Sequence, residues 1–128
     1  MSHLPSYGSV HKRLRRLHGS ARLHPCDWCG RTADSWSYTH HPDADEHFDA
    51  EARQLWSADT SHYRPMCQRH HRQLDRTFRE SGYDRCLLRK RVKGLREAAW
   101  SAVTDEQRAH EAKVRAPAAR LGRIHGYR

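Results

Sequence analysis

The segment YRPMCQRHHRQLD, Tyr63–Asp75, contains a cysteine, two adjacent histidines and a carboxylate within a short distance. Cys67 and His70 have the spacing C-x-x-H, which lets two side chains ligate one edge of a zinc tetrahedron. Consecutive residues of a helix point about 100° apart, so His71 cannot easily face the same ion as His70. The segment therefore predicts two different roles for its two histidines.

A pair of cysteines upstream completes a possible zinc site. Cys26 and Cys29 form a C-x-x-C pair, and zinc prefers four thiolate or imidazole ligands in a tetrahedron. The two pairs are far apart in the sequence, so a bound ion would close a long loop between them. We expect a structural zinc ion on Cys26, Cys29, Cys67 and His70. Cys86 is the alternative fourth ligand, although its place inside a predicted helix favours an ordinary buried thiol.

The composition is that of a small basic protein. Its 128 residues carry 24 basic and 15 acidic side chains, with a formal net charge of +9. Hydrophobic residues make up 36%, and mean hydropathy is -1.09, so the core is thin and a metal staple is expected. Twenty of the basic residues are arginines, whose guanidinium groups pair with phosphate. Nucleic acid is the expected partner, and general solubility charge is the alternative.

The sequence also indicates a compartment. No stretch approaches the roughly 18 apolar residues of a membrane span, and the N-terminal MSHLPSYGSV has no apolar signal-peptide core. We therefore expect a cytoplasmic protein with no membrane partner. Because cytosolic thiols stay reduced, its four cysteines are more naturally metal ligands than disulfides.

Periodicity and turn residues divide the chain into four parts. We predict a basic N-terminal helix or arm over 1–22, a zinc-stapled core over 23–82, C-terminal helices over 83–116 and a basic, disordered tail over 117–128. Three helices are expected after Cys67. The last of them opens at a capping box that begins with Thr104. It is expected to stop before the proline that opens the tail.

The core is expected to contain two strands and a helix. DSWSYTHH, 34–41, and YRPM, 63–66, are typical of short strands. CQRHHRQLDRTFRE, 67–80, predicts a helix that ends at Gly82. The acidic segment 42–62 is expected to be a long loop, with one possible helical turn around Ala50 to Leu55. The predicted fold class is small α+β.

His71 and Asp75 lie one helical turn apart on one face, where they can hold a second divalent ion. The alternative is a solvated His–Asp pair on the helix surface. The doublet His40–His41 ends the first predicted strand, and the zinc would clamp that strand near the start of the helix. A histidine base beside a divalent ion is one way to hydrolyse a phosphodiester bond.

The combination CDWCG…WSYTHHPDADE…WSADTSHYRPMCQRHHRQLD resembles the HNH, or ββα-metal, endonucleases. It is most similar to the small zinc-stabilised kind common in phages of actinobacteria. That pattern has a C-x-x-C turn, a strand ending in histidine, a P-[LM]-C-x-x-C-H segment and a helical carboxylate or histidine four residues on. The resemblance covers roughly Tyr7 to Asp75. It implies a zinc-knuckle-stabilised ββα-metal (HNH, His-Me finger) core with flanking basic helices.

The resemblance also implies ligands. The three cysteines of the two pairs would hold the structural zinc, with His70 where the family usually has cysteine. His71 and Asp75 would hold the catalytic divalent ion, which could be Mg²⁺, Mn²⁺, Ni²⁺ or Zn²⁺.

Two alignments of the strand histidines are open. In one, His40 is the general base and Thr39 replaces the acidic residue that usually precedes it. In the other, His40 is a metal ligand and His41 is the base. The missing carboxylate could come from one of three nearby acidic residues: Asp43, Asp45 and Glu46.

The expected function is therefore metal-dependent DNA endonuclease activity. Side chains expected to hold the DNA backbone are Lys12, Arg13, Arg15, Arg16, Arg69, Arg72 and Arg76. A non-catalytic, zinc-dependent DNA-binding protein is the main alternative, and a zinc-stapled protein-interaction adaptor is a third. A phage origin would place the protein in the host cytoplasm, with DNA and phage packaging proteins as partners. The sequence predicts no particular oligomeric state.

Overall fold

Residues 5–124, which the computed structural model describes with side chains over 5–117, form four α-helices and two small antiparallel sheets. The elements in chain order are α1 (Tyr7–His18), β1 (Ser35–Tyr38), β2 (Glu46–Asp49), β3 (Gln54–Ser57), β4 (Tyr63–Met66), α2 (Gln68–Glu80), α3 (Arg85–Ser101) and α4 (Asp105–Ile124). The predicted small α+β class is confirmed.

Helix α1 begins and ends at clear capping residues. The Ser6 hydroxyl accepts a hydrogen bond from the Ser9 amide at 3.1 Å, and the Ser9 hydroxyl accepts one from the Ser6 amide at 2.8 Å. The helix ends at Gly19, whose φ of 78° suits glycine. Val10 and Leu14 are buried, so α1 packs through one apolar face and leaves its basic residues exposed.

The predicted strand–strand–helix unit is present. β1 and β4 pair antiparallel, with Ser35 opposite Met66 and Tyr38 opposite Tyr63. Pro65 is tolerated because the sheet has only two strands and each is an edge strand. Helix α2 follows β4 directly, with Cys67 as its N-cap residue. The second cysteine–histidine pair therefore lies at the junction of sheet and helix.

The expectation of a loop with a helical turn over 42–62 is wrong. β2 and β3 form an antiparallel hairpin there, in which Phe48 pairs with Leu55. Its turn is stabilised locally, since Asp49 Oδ2 accepts a hydrogen bond from the Ala52 amide at 2.7 Å. Trp56 is buried and anchors the hairpin to the rest of the fold. The acidic composition concealed a strand pair whose stability comes from tertiary packing.

Two apolar clusters form the core. The first surrounds the cysteine turn and joins it to α2 and α3: Cys26, Trp28, Cys29, Met66, Leu74, Phe78, Leu88 and Ala99. The second joins α1 to both sheets: Val10, Leu14, Tyr38, Ala44, Trp56 and Tyr63. Both are small, and Cys26 and Cys29, the predicted zinc ligands, belong to the first.

Helix α3 buries only part of its apolar side chains. Leu88 is buried, but Leu87 and Trp100 are 36% and 49% exposed. Cys86 is also exposed, so the expectation of a buried thiol is wrong. Cys86 lies two residues before Leu88, and residues two apart on a helix point about 200° apart. The outward position of this cysteine follows from the inward position of Leu88.

Helix α4 opens as predicted but does not stop where expected. The Thr104 amide donates to Gln107 Oε1 at 2.9 Å, and the Gln107 amide donates to Thr104 Oγ1 at 3.1 Å, which confirms the capping box. The helix then continues through Pro117 to Ile124, so the predicted stop and the predicted disorder are wrong over 117–124. Strong helix formers, alanine and arginine, surround the proline and favour continuation. Residues 125–128 lie outside the described residues.

None of the helices described over residues 5–124 is long and apolar enough to cross a membrane.

Gly30 provides a first testable prediction. Its φ is 74°, and an added Cβ would collide with Arg108 Cδ and lie 2.8 Å from Trp100 Cζ3. We expect Gly30→Ala to lower the free energy of unfolding by about 2–3 kcal/mol, from left-handed strain plus overpacking. Gly94→Ala has open space within 4 Å and should raise it by about 0.5–1 kcal/mol. Urea unfolding measures both changes. The same change in stability in both variants would contradict the close packing around Gly30.

Candidate metal centre and histidine cluster

Cys26, Cys29, Cys67 and His70 meet at the start of α2. One ligand atom from each lies within 4.8 Å of all the others. The sulfur atoms of Cys29 and Cys67 are 4.0 Å apart, and Cys67 Sγ is 3.1 Å from His70 Nδ1. Ligand atoms around tetrahedral zinc lie roughly 3.5–3.8 Å from one another. The four side chains can therefore hold a metal ion such as zinc.

Backbone hydrogen bonds bring the two ligand pairs together. The Asp27 amide donates to the Pro65 carbonyl at 2.8 Å, which ties the cysteine turn to β4. The Gln68 amide donates to Asp34 Oδ2 at 2.8 Å, which satisfies an amide at the start of α2. The Gly30 amide closes the turn on the Cys26 carbonyl at 2.9 Å. These bonds do not involve the thiols, so they leave the four ligand atoms free to hold an ion.

The electrostatics of the cluster favour a bound cation. A hydrogen bond with Cys29 lowers the pKa of the Cys26 thiol. The same bond, together with burial, raises the pKa of Cys29, and burial raises the pKa of Cys67. Thiolates this close repel one another, so only one of the three ionises readily. A divalent cation would offset that repulsion and let all three thiolates form.

The choice between His70 and Cys86 is settled by position. His70 Nδ1 belongs to the cluster, and the His70 ring also lies 5.7 Å from the ring of Trp28, measured between centroids. Cys86 is exposed at the start of α3 and is not among the four clustered side chains.

His71 turns away from the cysteines, as the helix geometry predicts. Its Nε2 lies 3.3 Å from Asp75 Oδ2. The other oxygen of that carboxylate, Oδ1, lies 3.0 Å from His40 Nε2. Asp75 therefore joins a histidine two residues beyond β1 to a histidine on α2. In this His40–Asp75–His71 group, Asp75 contacts each of the two histidines. Among residues 5–117, only the Cys–His cluster brings three or more ligand atoms all within 4.8 Å of one another.

His40 lies in an unusual environment. Its φ is 55°, it is 6% exposed, and its ring stacks on Phe78 with centroids 4.0 Å apart. Its Nδ1 is buried without a hydrogen-bond partner, 3.7 Å from Glu46 Oε2. The Tyr38 hydroxyl donates to that same carboxylate oxygen at 2.7 Å. Of the three acidic residues considered for this place, Glu46 is the one beside His40.

A small cavity adjoins the His40–Asp75–His71 group. Its volume is about 30 Å³, and its polar lining includes His11, His40, Gln54, His71 and Asp75. A single water molecule occupies about 30 Å³ in the liquid. The cavity thus has room for one water molecule or one ion beside three of the residues predicted from the sequence.

His11 is a member of this site that sequence reasoning missed. It lies on α1, with its ring 5.5 Å from Tyr63 and 4.6 Å from Tyr7, measured between centroids. Burial lowers the pKa of His11, with further contributions from Arg15 and His71. A lone histidine in a basic helix has no motif around it, so only the packing of α1 identifies it.

His41 faces a different region. The Asp43 amide donates to His41 Nδ1 at 3.1 Å, so a neutral His41 carries its proton on Nε2. Its ring stacks on His62 with centroids 4.7 Å apart. The contact with Asp75 comes from His40.

The predicted DNA-binding residues are all exposed, on two helices. On α2, residues spaced by three and four share one side of the helix, so Arg69, Arg72 and Arg76 form a stripe there. On α1 the exposed predicted side chains are Lys12, Arg13, Arg15 and Arg16, of which Arg13 donates to the Ala58 carbonyl at 2.6 Å.

Comparison of the chain with protein-family models, curated proteins and solved structures gives no match.

Proposed function

We propose that this chain is a metal-dependent DNA endonuclease of the HNH type. The observation that carries the proposal is the meeting of His40 and His71 at Asp75. A second support is the Cys–His cluster on another side of the same helix, as in the zinc-stabilised members that the sequence resembles. In this proposal, zinc on that cluster holds the fold, and a separate divalent ion serves the reaction.

The residues present suit a catalytic divalent ion. One carboxylate and one or two imidazoles form a mixed oxygen–nitrogen donor set, which accepts Mn²⁺, Ni²⁺ and Zn²⁺ and tolerates Mg²⁺. The adjoining cavity has the volume of a single ion or water, about 30 Å³. We assign the ion to His71 and Asp75. When bound, it would supply Lewis-acid stabilisation of the phosphoryl oxygens.

Among the strand histidines, His40 is the better candidate for the general base. An ionised carboxylate only accepts hydrogen bonds, so Asp75 fixes a proton on His40 Nε2 and leaves the lone pair on Nδ1. That nitrogen has no hydrogen-bond partner and lies 3.7 Å from Glu46 Oε2. It would take a proton from water as the water oxygen bonds to phosphorus and the bond to the 3′ oxygen breaks. His41, with its Nδ1 occupied by the Asp43 amide, would donate Nε2–H to a phosphate oxygen.

A second candidate function has its own support. His40 is only 6% exposed, and Thr39 is held in the fold, since its hydroxyl donates to the His62 carbonyl at 2.9 Å. The Thr39 hydroxyl is therefore engaged in the fold, and Thr39 does not supply the metal-binding carboxylate of the family pattern. A protein with this arrangement could bind DNA through its exposed arginines without cutting it. The two functions differ in a single observable, strand cleavage.

A supercoiled-plasmid assay tests the proposal. We expect purified protein to convert supercoiled plasmid to nicked or linear forms when Mg²⁺, Mn²⁺, Ni²⁺ or Zn²⁺ is supplied, and to leave it intact in EDTA. A mobility-shift measurement on the same samples reports binding. Binding without cleavage at every metal concentration would reject the endonuclease in favour of the DNA-binding protein. Absence of both would reject both.

A further inference from the structure

A groove runs along one side of α3 and begins at the proposed catalytic histidines His40 and His41. It consists of two adjoining cavities, of about 280 and 650 Å³. The first begins beside His41, and the second ends beside Trp100. Both are lined by Asp27, Trp28, Arg89, Val92 and Arg96, so they form one continuous surface, here called the α3 groove.

The α3 groove is strongly basic. Its cationic lining residues are Arg64, Arg85, Arg89, Lys93 and Arg96, and its acidic ones are Asp27 and Glu97. Arg96 pairs with Asp27 at 3.4 Å. Arg89 and Lys93 are exposed, and neither has a side-chain partner among the described hydrogen bonds and ion pairs. Because they lie four residues apart, they share one side of the helix and present their charges to the same ligand.

Each end of the α3 groove has a side chain that can contact nucleic acid. Trp100 is 49% exposed, and the Arg108 guanidinium lies over its ring at 3.7 Å from the centroid. An exposed aromatic ring next to a basic groove is a stacking surface for a nucleic-acid base. At the other end, His41 carries Nε2–H because the Asp43 amide occupies its Nδ1. A helix rises 1.5 Å per residue, so Arg85 to Trp100 spans about 22 Å, the length of about six stacked nucleotides.

We propose that the α3 groove binds one strand of the nucleic acid substrate through its phosphates. The direction of the strand, with its scissile phosphate at the His41 end, rests on the proposed function. The binding itself rests only on the charge, shape and aromatic end of the groove. These residues are distinct from the basic residues of α1 and α2 predicted from the sequence, so the groove extends the DNA-binding surface to the C-terminal helices.

The same helix supplies a matched control. Lys90 and Arg91 are exposed but do not line either cavity. The test compares Arg89→Gln/Lys93→Gln with Lys90→Gln/Arg91→Gln, so each variant loses one arginine and one lysine from α3. Binding of a labelled 20-nucleotide single strand is followed by fluorescence anisotropy at several salt concentrations. Melting temperatures check folding, since Arg91 also donates to Ser81 Oγ at 3.2 Å.

We expect the groove variant to bind about 10-fold more weakly. Its log affinity should fall less steeply with log salt concentration, by about 1.4 for two lost phosphate contacts on a single strand. The control variant should lose less than about 3-fold, through net charge alone. Equal losses of affinity in both variants would overturn the inference. So would competition by polyglutamate that is as strong as competition by unlabelled DNA, because it would indicate an acidic protein partner.

The plasmid assay, run on the same variants, separates this inference from the proposed function. Cleavage by the wild type with equal binding by both variants would reject the groove and keep the endonuclease. Selective loss of binding in the groove variant, with a wild type that cuts nothing, would keep the groove and reject the endonuclease.

Discussion

Cys29→Ser should abolish binding of the proposed structural zinc and leave the protein largely unfolded at 25 °C. Cys29 is 1% exposed and belongs to both the ligand cluster and the larger apolar core. Metal binding contributes about 10–16 kcal/mol of folding free energy in zinc-finger peptides, whereas whole domains are stable by only about 5–15 kcal/mol. The loss of a single ligand is therefore large enough to reverse the sign of stability.

The measurement combines zinc content with circular dichroism. We expect one zinc ion per wild-type chain and a cooperative thermal transition, both lost in Cys29→Ser and both lost on prolonged chelation. Cys86→Ser is the matched control, because its thiol is exposed outside the cluster. Its stability should stay within about 0.5 kcal/mol of the wild type. A Cys29→Ser protein that melts like the wild type would show that the fold does not depend on zinc.

His71→Ala should lower the rate of plasmid cleavage by at least about 100-fold while keeping zinc content and melting temperature close to wild type. The reason is the division between the two adjacent histidines. His70 belongs to the Cys–His cluster, whereas His71 lies 3.3 Å from Asp75 on another side of α2. Its removal takes away a proposed ligand of the catalytic ion without touching the proposed structural zinc.

Two controls sharpen this second prediction. His110→Ala makes the same change at an exposed position on α4 and should cut at the wild-type rate. His70→Cys replaces one zinc ligand with another and should keep both zinc and cleavage. If His71→Ala cuts as fast as the wild type, His71 is not a ligand of the catalytic ion. If it loses zinc, the two histidines are not divided as proposed.

Much of the candidate site could be predicted because its determinants are local. The spacings C-x-x-C and C-x-x-H identify ligands that can meet on one ion, and the structure brings all four together. The different directions of His70 and His71, about 100° apart, follow from the geometry of any helix. Asp75, one turn from His71, lies on the same side for the same reason. These relations hold whatever the rest of the chain does.

Other parts of the site depend on packing between distant segments. The β2–β3 hairpin brings Glu46 beside His40, although its acidic sequence favoured a loop. His11 reaches the small cavity only because α1 packs there. The different contacts of His40 and His41 also do not follow from the alternation of a strand, since β1 ends at Tyr38 and His40 takes a positive φ.

The sequence by itself determined the four side chains that can hold a metal ion, the β1, β4 and α2 unit and the separation of the two helical histidines. Each depends on residue types at fixed spacing along a short piece of chain. The tertiary structure alone decided that His40 contacts Asp75, that Cys86 is exposed and that α3 borders a basic groove. Burial and strand pairing are set by partners far away in the chain, and no local pattern specifies those partners.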